Sequence, residues 1–166
     1  LGKINARLSG ATYGSTCLTH DGSRIIYLRN ESEVYVMNWD GTNSRKIADN
    51  GEVVRYWRDR ATNTDWAILT NRQRVNLDNT SQKVSLWSGG TPAPSPNDYC
   101  PISLSRDGTH IGGHFPHPWF GVAPVPSGPA YVEKTVESCY AHMAPDNSYD
   151  IAMQDGGHKK LMVRSK

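Results

Sequence analysis

Short apolar runs alternate with polar turns along the chain, and this pattern predicts β-strands rather than helices. Near the start, residues 23–29, 34–38 and 45–47 are rich in β-branched and aromatic side chains, and turn residues lie between them. Short runs joined by Asp-Gly or Asn-containing turns are typical of antiparallel hairpins. No long window holds an apolar helical repeat that is free of Gly and Pro. The sequence therefore predicts an all-β fold.

The turns themselves recur at a nearly fixed interval, at residues 19–23, 105–109 and 144–148. The glycines of the first two turns are 86 residues apart, which is twice 43, and the asparagine of the third lies 39 residues further on. A period of about 40 to 45 residues is expected for one four-stranded propeller blade. We therefore predict one domain, a β-propeller of about four antiparallel blades. Its predicted extent is residues 1–166, with units of about 9–50, 51–90, 97–136 and 137–166 and a Pro-rich interblade loop at 91–96.

Residues 19–27 and 34–47 resemble the TolB-type propeller repeat, a WD40-like β-blade module. The resemblance is best in the first unit, weaker in the third and fourth, and weakest in the second. It implies that the Asp-Gly turns join the inner and the outer strand pairs of a blade, so that their aspartates are structural rather than catalytic. It also suggests an exported protein, which predicts a periplasmic or extracellular location.

Propellers of this family usually have six or seven blades, whereas this chain supplies about four. Residues 3–8 would serve as the closing strand of a four-bladed ring. Alternatively, the chain is an incomplete part of a larger ring, which further blades or a second copy would complete. We favour the incomplete ring because the apolar run at 161–163 would otherwise leave an unpaired edge. The chain begins with Leu1, which predicts either a removed leader or a piece of a longer polypeptide.

Composition and charge exclude some partners. The chain has 18 Lys and Arg against 16 Asp and Glu, and the basic residues are scattered. Five arginines between residues 55 and 74 lie near Tyr56, Trp57 and Trp66, and we interpret them as a solvated strand edge. We predict no nucleic-acid partner, because that function normally needs a concentrated basic face. We also predict no membrane span, since no apolar stretch approaches the ~18 residues required.

The cysteines and histidines leave alternatives open. Cys100 lies eight residues before Gly108 and Cys139 eight before Asn147, so they occupy equivalent positions and are buried thiols, a disulfide pair or metal ligands. We predict no cofactor and no catalytic residue. A metal ion, if bound, would use His110, His114 and His142. The spacings of Cys139 with His142 and of His114 with His117 argue against shared coordination, because residues three apart on a strand point to opposite faces.

Tryptophans give the remaining hypotheses. Trp39 and Trp87 precede outer turns and are predicted to pack between blades. Trp119 departs from the repeat and lies between Pro and Gly residues, which favours an exposed ring at one mouth of the channel. The predicted ligand-binding residues are Trp119, His114, His117 and Phe120.

The sequence therefore predicts a non-catalytic propeller module that presents a protein- or glycan-binding surface. The alternative is a propeller-type polysaccharide lyase or hydrolase domain with a His-lined metal site. We favour the binding module over the enzyme, because no nucleophile elbow or paired carboxylates can be recognised in the sequence.

Overall fold

The structure is a computed structural model, which describes residues 13–49, 53–89, 94, 102–144 and 146–165. Within these residues the chain forms fifteen β-strands and no helix, which confirms the all-β prediction. The strands form four antiparallel sheets that follow one another in chain order, as in a propeller with four blades. Because the described part has no helix, it also has none long and apolar enough to cross a membrane.

Each sheet is a meander in which consecutive strands are neighbours. Sheet 1 contains β1 to β4, at Tyr13–Leu18, Arg24–Arg29, Glu33–Asn38 and Arg45–Ala48. Sheet 2 contains β5 to β8, at Val53–Asp59, Thr64–Leu69, Gln73–Asn76 and Lys83–Ser85. Sheet 3 contains β9 to β12, at Ser103–Leu104, His110–His114, Phe120–Pro124 and Tyr131–Glu133. Sheet 4 contains β13 to β15, at Ser138–Met143, Ile151–Asp155 and Leu161–Arg164.

The first repeated turn is held by one aspartate. The Oδ1 atom of Asp21 accepts hydrogen bonds from the Thr19 hydroxyl at 2.7 Å and from the Ser23 backbone N–H at 3.0 Å. Gly22 follows with φ of 69°, a conformation that glycine adopts without steric cost. The hydrogen bond from Thr19, followed by those from Ser23, lowers the pKa of Asp21 below its usual range. The turn sequence therefore closes the β1–β2 hairpin through its own side chains.

The same arrangement recurs in the later sheets. In the β9–β10 turn, Asp107 Oδ1 accepts from the Ser105 hydroxyl at 2.6 Å and from the Thr109 N–H at 3.0 Å. In the β13–β14 turn, Asp146 Oδ1 accepts from the backbone N–H and the hydroxyl of Ser148, at 2.9 and 2.6 Å. The repeat seen in the sequence is thus a repeat of side-chain hydrogen bonds.

Apolar side chains pack between successive sheets in three cores. Sheets 1 and 2 share Ile26, Leu28, Val34, Val36, Ile47, Ala48, Ala67, Leu69, Val75 and Leu77. Sheets 2 and 3 share Trp57, Trp66, Ile68, Leu86, Trp87, Ile102, Leu104, Ile111, Phe115 and Ala123. Sheets 3 and 4 share Phe120, Val122, Ala141, Met143, Ile151 and Met153. Strand β6 contributes alternate residues to the first and second cores, as the two-residue period of a strand requires.

The two tryptophans predicted to pack between blades differ. Trp87 is buried in the core between sheets 2 and 3, where its ring meets Phe115 edge-on at a centroid distance of 5.8 Å. Trp39 is 52% exposed, so the prediction was wrong for this residue. The reason is its position: Trp39 lies in the β3–β4 turn, beyond the part of the sheet that the next blade covers.

The far face of sheet 4 carries exposed apolar side chains. Met153 pairs with Met162, and both pack towards sheet 3. Because neighbouring residues on a strand point to opposite faces, Leu161 and Val163 point away from sheet 3, and they are 81% and 67% exposed. The predicted closing strand at residues 3–8 and the side chains of Cys100 and Cys139 lie outside what the structure describes.

Candidate binding site

A groove with a volume of about 530 Å³ lies where three inner hairpins meet. The β1–β2, β5–β6 and β9–β10 turns of sheets 1, 2 and 3 form its walls, so three blades contribute to one surface. We call it the hairpin groove, and it is lined by His20, Asp21, Tyr56, Trp57, Arg58, Arg60, Asn63, Leu104 and Arg106. Three of these side chains are arginines, so the groove concentrates positive charge that the sequence as a whole does not.

The wall of the hairpin groove is ordered by a buried carboxylate. Asp65 accepts hydrogen bonds from Arg24 at 2.5 Å, from the Tyr56 hydroxyl at 2.6 Å and from Arg58 at 2.7 Å. Arg24 belongs to sheet 1 and also pairs with Asp78 at 2.6 Å, so the network joins sheets 1 and 2. Burial and the hydrogen bond to Asp65 raise the pKa of the Tyr56 phenol. These contacts fix the directions of Tyr56 and Arg58.

Trp57 forms the floor and joins sheet 2 to sheet 3. Its Nε1–H donates to the Ser105 carbonyl oxygen at 3.0 Å. Gly108, with φ of 72°, lies so close that an added Cβ would approach the Trp57 ring to 3.0 Å. The Arg74 guanidinium lies 4.9 Å from the Trp57 ring centroid and 4.6 Å from that of Trp66, within the range of cation–π attraction. Contacts with Ser105, Gly108 and Arg74 therefore fix the position of the Trp57 ring.

Two arginines of the hairpin groove make no hydrogen bond to the rest of the described chain. Arg60 and Arg106 are exposed, and neither donates a hydrogen bond or forms a close ion pair among the residues that the structure describes. The positive charge of Arg106 does act on the carboxylate of Asp146 and helps to lower its pKa. Arg60 comes from the β5–β6 turn and Arg106 from the β9–β10 turn, so they lie on different blades. Their guanidinium groups keep all their donors available to a ligand.

Ionised aspartates surround this basic centre. Asp40 in the β3–β4 turn, Asp107 and Asp146 are exposed, and they lie at the same end of the sheets as the hairpin groove because those turns do. Desolvation acts to raise the pKa of Asp107, but hydrogen bonds from Ser105 and Thr109 outweigh it and lower that pKa. Hydrogen bonds from the following turn residue likewise lower the pKa values of Asp40 and Asp146. The positively charged surface at the hairpin groove is therefore small, because negatively charged carboxylates lie at the same end of the sheets.

The ligand-binding residues predicted from the sequence lie at the opposite end, around the β10–β11 turn. His114 and Phe120 are fully buried, Trp119 is half-buried and His117 is exposed. The structure does bring them together, because the His114 ring lies 4.8 Å from that of His117 and 6.5 Å from that of Phe120. Only His117 and Trp119 can reach a ligand without rearrangement, and a role for these four residues stays a prediction.

His114 is a neutral structural residue in this arrangement. Its Nε2 lies 3.1 Å from the Ser138 carbonyl oxygen, which can only accept, so Nε2 carries the proton. Burial, with a smaller contribution from His117, lowers the pKa of His114 to about 4. Its Nδ1 is buried and has no hydrogen-bond partner among the described residues. The histidine therefore links sheet 3 to sheet 4 in its uncharged form.

The three histidines proposed as metal ligands are not brought together. His110 stacks on Tyr149 with ring centroids 3.9 Å apart, and His142 contacts Arg55 of sheet 2. Among the described residues, no three His, Cys, Asp or Glu side chains are close enough to hold a metal ion. The metal set that the enzyme alternative needs is not assembled here.

The arginines at residues 55–74 were predicted to form one solvated strand edge. The structure divides it: Arg74 stacks on two tryptophans, Arg58 pairs with Asp65, and Arg60 is exposed at the hairpin groove. Arg106 was overlooked because it lies in the β9–β10 turn, far away in the chain. Its position within a repeated turn was the available signal, since equivalent turns of adjacent blades lie side by side.

Comparison with solved structures supports the propeller. A chain from the crystal structure of the mitotic checkpoint complex matches 93% of this chain and 48% of its own length, with a TM-score of 0.62 and 12% identity. The β-propeller domain of Myceliophteria thermophila Cps50 (Swd1) matches 94% of this chain and 51% of its own length, with a TM-score of 0.57 and 8% identity. The chain thus spans about half the length of each. At these identities the likeness shows the fold alone, a WD40-like β-propeller.

No protein-family model matches the sequence, and no curated protein matches it either. The propeller prediction is confirmed by the structure and its neighbours, whereas the TolB-type resemblance stays a prediction.

Proposed function

We propose that the chain is a non-catalytic, protein-binding propeller module that contacts its partner through the hairpin groove. The observation that supports this most is that Arg60 and Arg106, which line the hairpin groove together with Trp57, are exposed and donate no hydrogen bond among the described residues. Arginine and tryptophan are also the residue types enriched where protein interfaces derive most of their energy.

The carboxylates near the hairpin groove support a binding role rather than a catalytic one. Asp65 accepts three hydrogen bonds from neighbouring side chains, and Asp21 is occupied by Thr19 and Ser23. A general acid or base needs a carboxyl that is free to exchange a proton with the substrate. The oxygens of both carboxylates are instead occupied by hydrogen bonds, and the pKa of Asp21 is also lowered, so both aspartates act as fixed structural elements.

Finer features remain part of the proposal. The turn motif supports a TolB-type repeat and, through that resemblance, a periplasmic or extracellular location. The exposed Leu161 and Val163 support association of sheet 4 with further blades or with a second copy. A glycan ligand rests on Trp119, whose ring is only half-buried. We give it second place, because the hairpin groove offers the larger set of convergent polar groups.

Site-specific photo-cross-linking tests the proposed function. A photoreactive amino acid is introduced at Ala61, an exposed position in the β5–β6 turn beside the hairpin groove, and the variant is expressed in the source cells. The matched control carries the same group at Asn71, which is exposed at the opposite end of sheet 2. We expect one defined protein to cross-link at Ala61 and not at Asn71. Equal labelling from both positions, or none from Ala61, would contradict the proposal.

A further inference from the structure

We infer that the hairpin groove recognises a short acidic segment of its protein partner, one that presents at least two carboxylates. This inference rests on the proposed function and specifies the chemistry of the partner. The hairpin groove contains arginine donors that are available to a ligand. Arg60 and Arg106 are exposed and donate no hydrogen bond within the described chain, so both guanidinium groups can bind a carboxylate with two parallel N–H···O bonds. Asp146 lies near enough to Arg106 for the two charges to attract, and a bound carboxylate would compete with it.

Arg58, the third arginine of the hairpin groove, is engaged within the fold. Arg58 donates one Nη to Asp65 at 2.7 Å and the other to the Asn63 side chain. Both Nη atoms are therefore already engaged, which leaves Arg58 less able than Arg60 or Arg106 to offer two parallel donors to a carboxylate, and its main contribution to the hairpin groove is positive charge. This leaves two binding arginines on two different blades, which is why a single acidic side chain is not enough and a segment with two is needed.

The aspartates around the hairpin groove favour a protein partner over a nucleic acid. A nucleic acid carries closely spaced charges and requires an extended basic track. Here the basic centre is bordered by ionised aspartates: Asp21 lines the hairpin groove itself, while Asp40, Asp107 and Asp146 occupy turns at the same end. A phosphate backbone that ran across the hairpin groove would meet these negative charges on leaving it. A short acidic peptide avoids them, because only a few of its residues need to carry charge.

The apolar floor of the hairpin groove offers little exposed area. Trp57 and Leu104 are each only 9% exposed, so they offer a shallow contact and little additional apolar burial. Charge therefore contributes most of the attraction, and the binding should weaken as salt shortens the range of electrostatic interactions. This salt sensitivity separates the acidic segment from an apolar peptide as the ligand.

Fluorescence anisotropy with a labelled peptide of alternating glutamate and glycine tests the inference, with the glutamine counterpart as the control peptide. The test variant is the full chain with R60Q/R106Q. The matched control is K83Q/K159Q, which removes the same charge from two exposed lysines away from the hairpin groove. We expect saturable binding of the acidic peptide alone, a loss of about tenfold or more in R60Q/R106Q, and a change within about twofold in K83Q/K159Q.

Several results would overturn the inference: no binding by the unmodified chain, the same affinity in R60Q/R106Q, or equal losses in the two double variants. Tighter binding of a single-stranded oligonucleotide of the same charge, with the same dependence on Arg60 and Arg106, would assign the hairpin groove to nucleic acid instead. The outcome is separable from the proposed function. A partner that cross-links at Ala61 and binds R60Q/R106Q as tightly as the unmodified chain would leave the proposed function intact and reject the acidic segment.

Discussion

The two ends of the sheets treat their aromatic and basic side chains in opposite ways. At the hairpin groove, Trp57 is buried while Arg60 and Arg106 are exposed. At the other end, the histidine is buried and the aromatic ring is the more accessible group: His114 lies inside and Trp119 is half-buried. The first arrangement leaves charge available to a partner, and the second satisfies polar atoms within the fold.

The comparison teaches that a basic residue counts as a candidate for binding only when its donors are free. His114 was the more conspicuous residue in the sequence, because it lies among other histidines. Its Nε2–H nevertheless donates to the Ser138 carbonyl oxygen, whereas Arg106, in an ordinary turn, donates no hydrogen bond among the described residues. The following variants test how far stability and binding are separated between the two ends.

The largest expected effect is on stability, from Trp57→Ala. Removing the ring opens a cavity between sheets 2 and 3 and deletes the hydrogen bond to Ser105, so we expect the free energy of unfolding to fall by about 3–5 kcal/mol. Urea denaturation measures it. Trp39→Ala is the control, because that ring is exposed and its loss should cost less than about 1 kcal/mol. Similar losses in the two variants would mean that Trp57 does not hold the two sheets together.

The next effect is a pH dependence that arises at the other end. His114 has a folded-state pKa of about 4 against 6.5 for the ordinary residue, so the unfolded chain binds a proton more readily. Stability is therefore lost as the pH falls from 6.5 towards 4, by up to about 3 kcal/mol, and this contribution changes no further below that. Urea denaturation across this range should show a shallower pH dependence in His114→Gln, which keeps a donor for Ser138. Parallel curves for the two proteins would contradict the assignment.

A smaller effect separates two equivalent turns. In Gly22→Ala the added methyl group meets open space, so only the left-handed backbone conformation costs energy, about 1 kcal/mol. In Gly108→Ala the same cost is joined by the approach to the Trp57 ring, for about 1 kcal/mol more. Thermal unfolding of the two variants measures the difference. If Gly22→Ala proved the more damaging, the packing of Gly108 under Trp57 would be refuted.

The smallest expected effect concerns the predicted ligand residues. Replacing His117 and Trp119 together by alanine should leave binding of the acidic peptide unchanged within about twofold, because both lie at the end away from the hairpin groove. Anisotropy with the same labelled peptide measures this. A loss comparable to that of R60Q/R106Q would mean that the acidic peptide binds at the end of the β10–β11 turn and not at the hairpin groove. Screening the unmodified chain and this double variant side by side on a glycan array tests the competing hypothesis that Trp119 binds a glycan.

Much of the fold was predictable because its determinants are local. The Asp-Gly turns define hairpins through hydrogen bonds that span only a few residues, and their spacing indicates the length of a blade. Strand β7 was not foreseen. Its sequence, Gln73-Arg74-Val75-Asn76, is mostly polar, and it becomes a strand because Arg74 packs on Trp57 and Trp66 rather than facing solvent.

The hairpin groove was less predictable because it is assembled from three blades. Its arginines come from turns 46 residues apart, at Arg60 and Arg106, and no local pattern pairs them. The interpretation of residues 55–74 as one edge also failed for a physical reason. Arg58, Arg60 and Arg74 leave the backbone in different directions, so neighbours in the chain enter an ion pair, solvent and an aromatic stack respectively.

The aspartate-centred turn has a practical consequence for protein engineering. Because residues 19–23 and 105–109 tie their ends together with the same internal bonds, either pentapeptide is a portable cassette that carries its own geometry. Transplanting one into the place of the other exchanges His20 and Arg106 at the second position and otherwise only swaps Thr and Ser at the first and fifth, so we expect the hairpin to be kept. The surface at this end can therefore be rewritten one blade at a time.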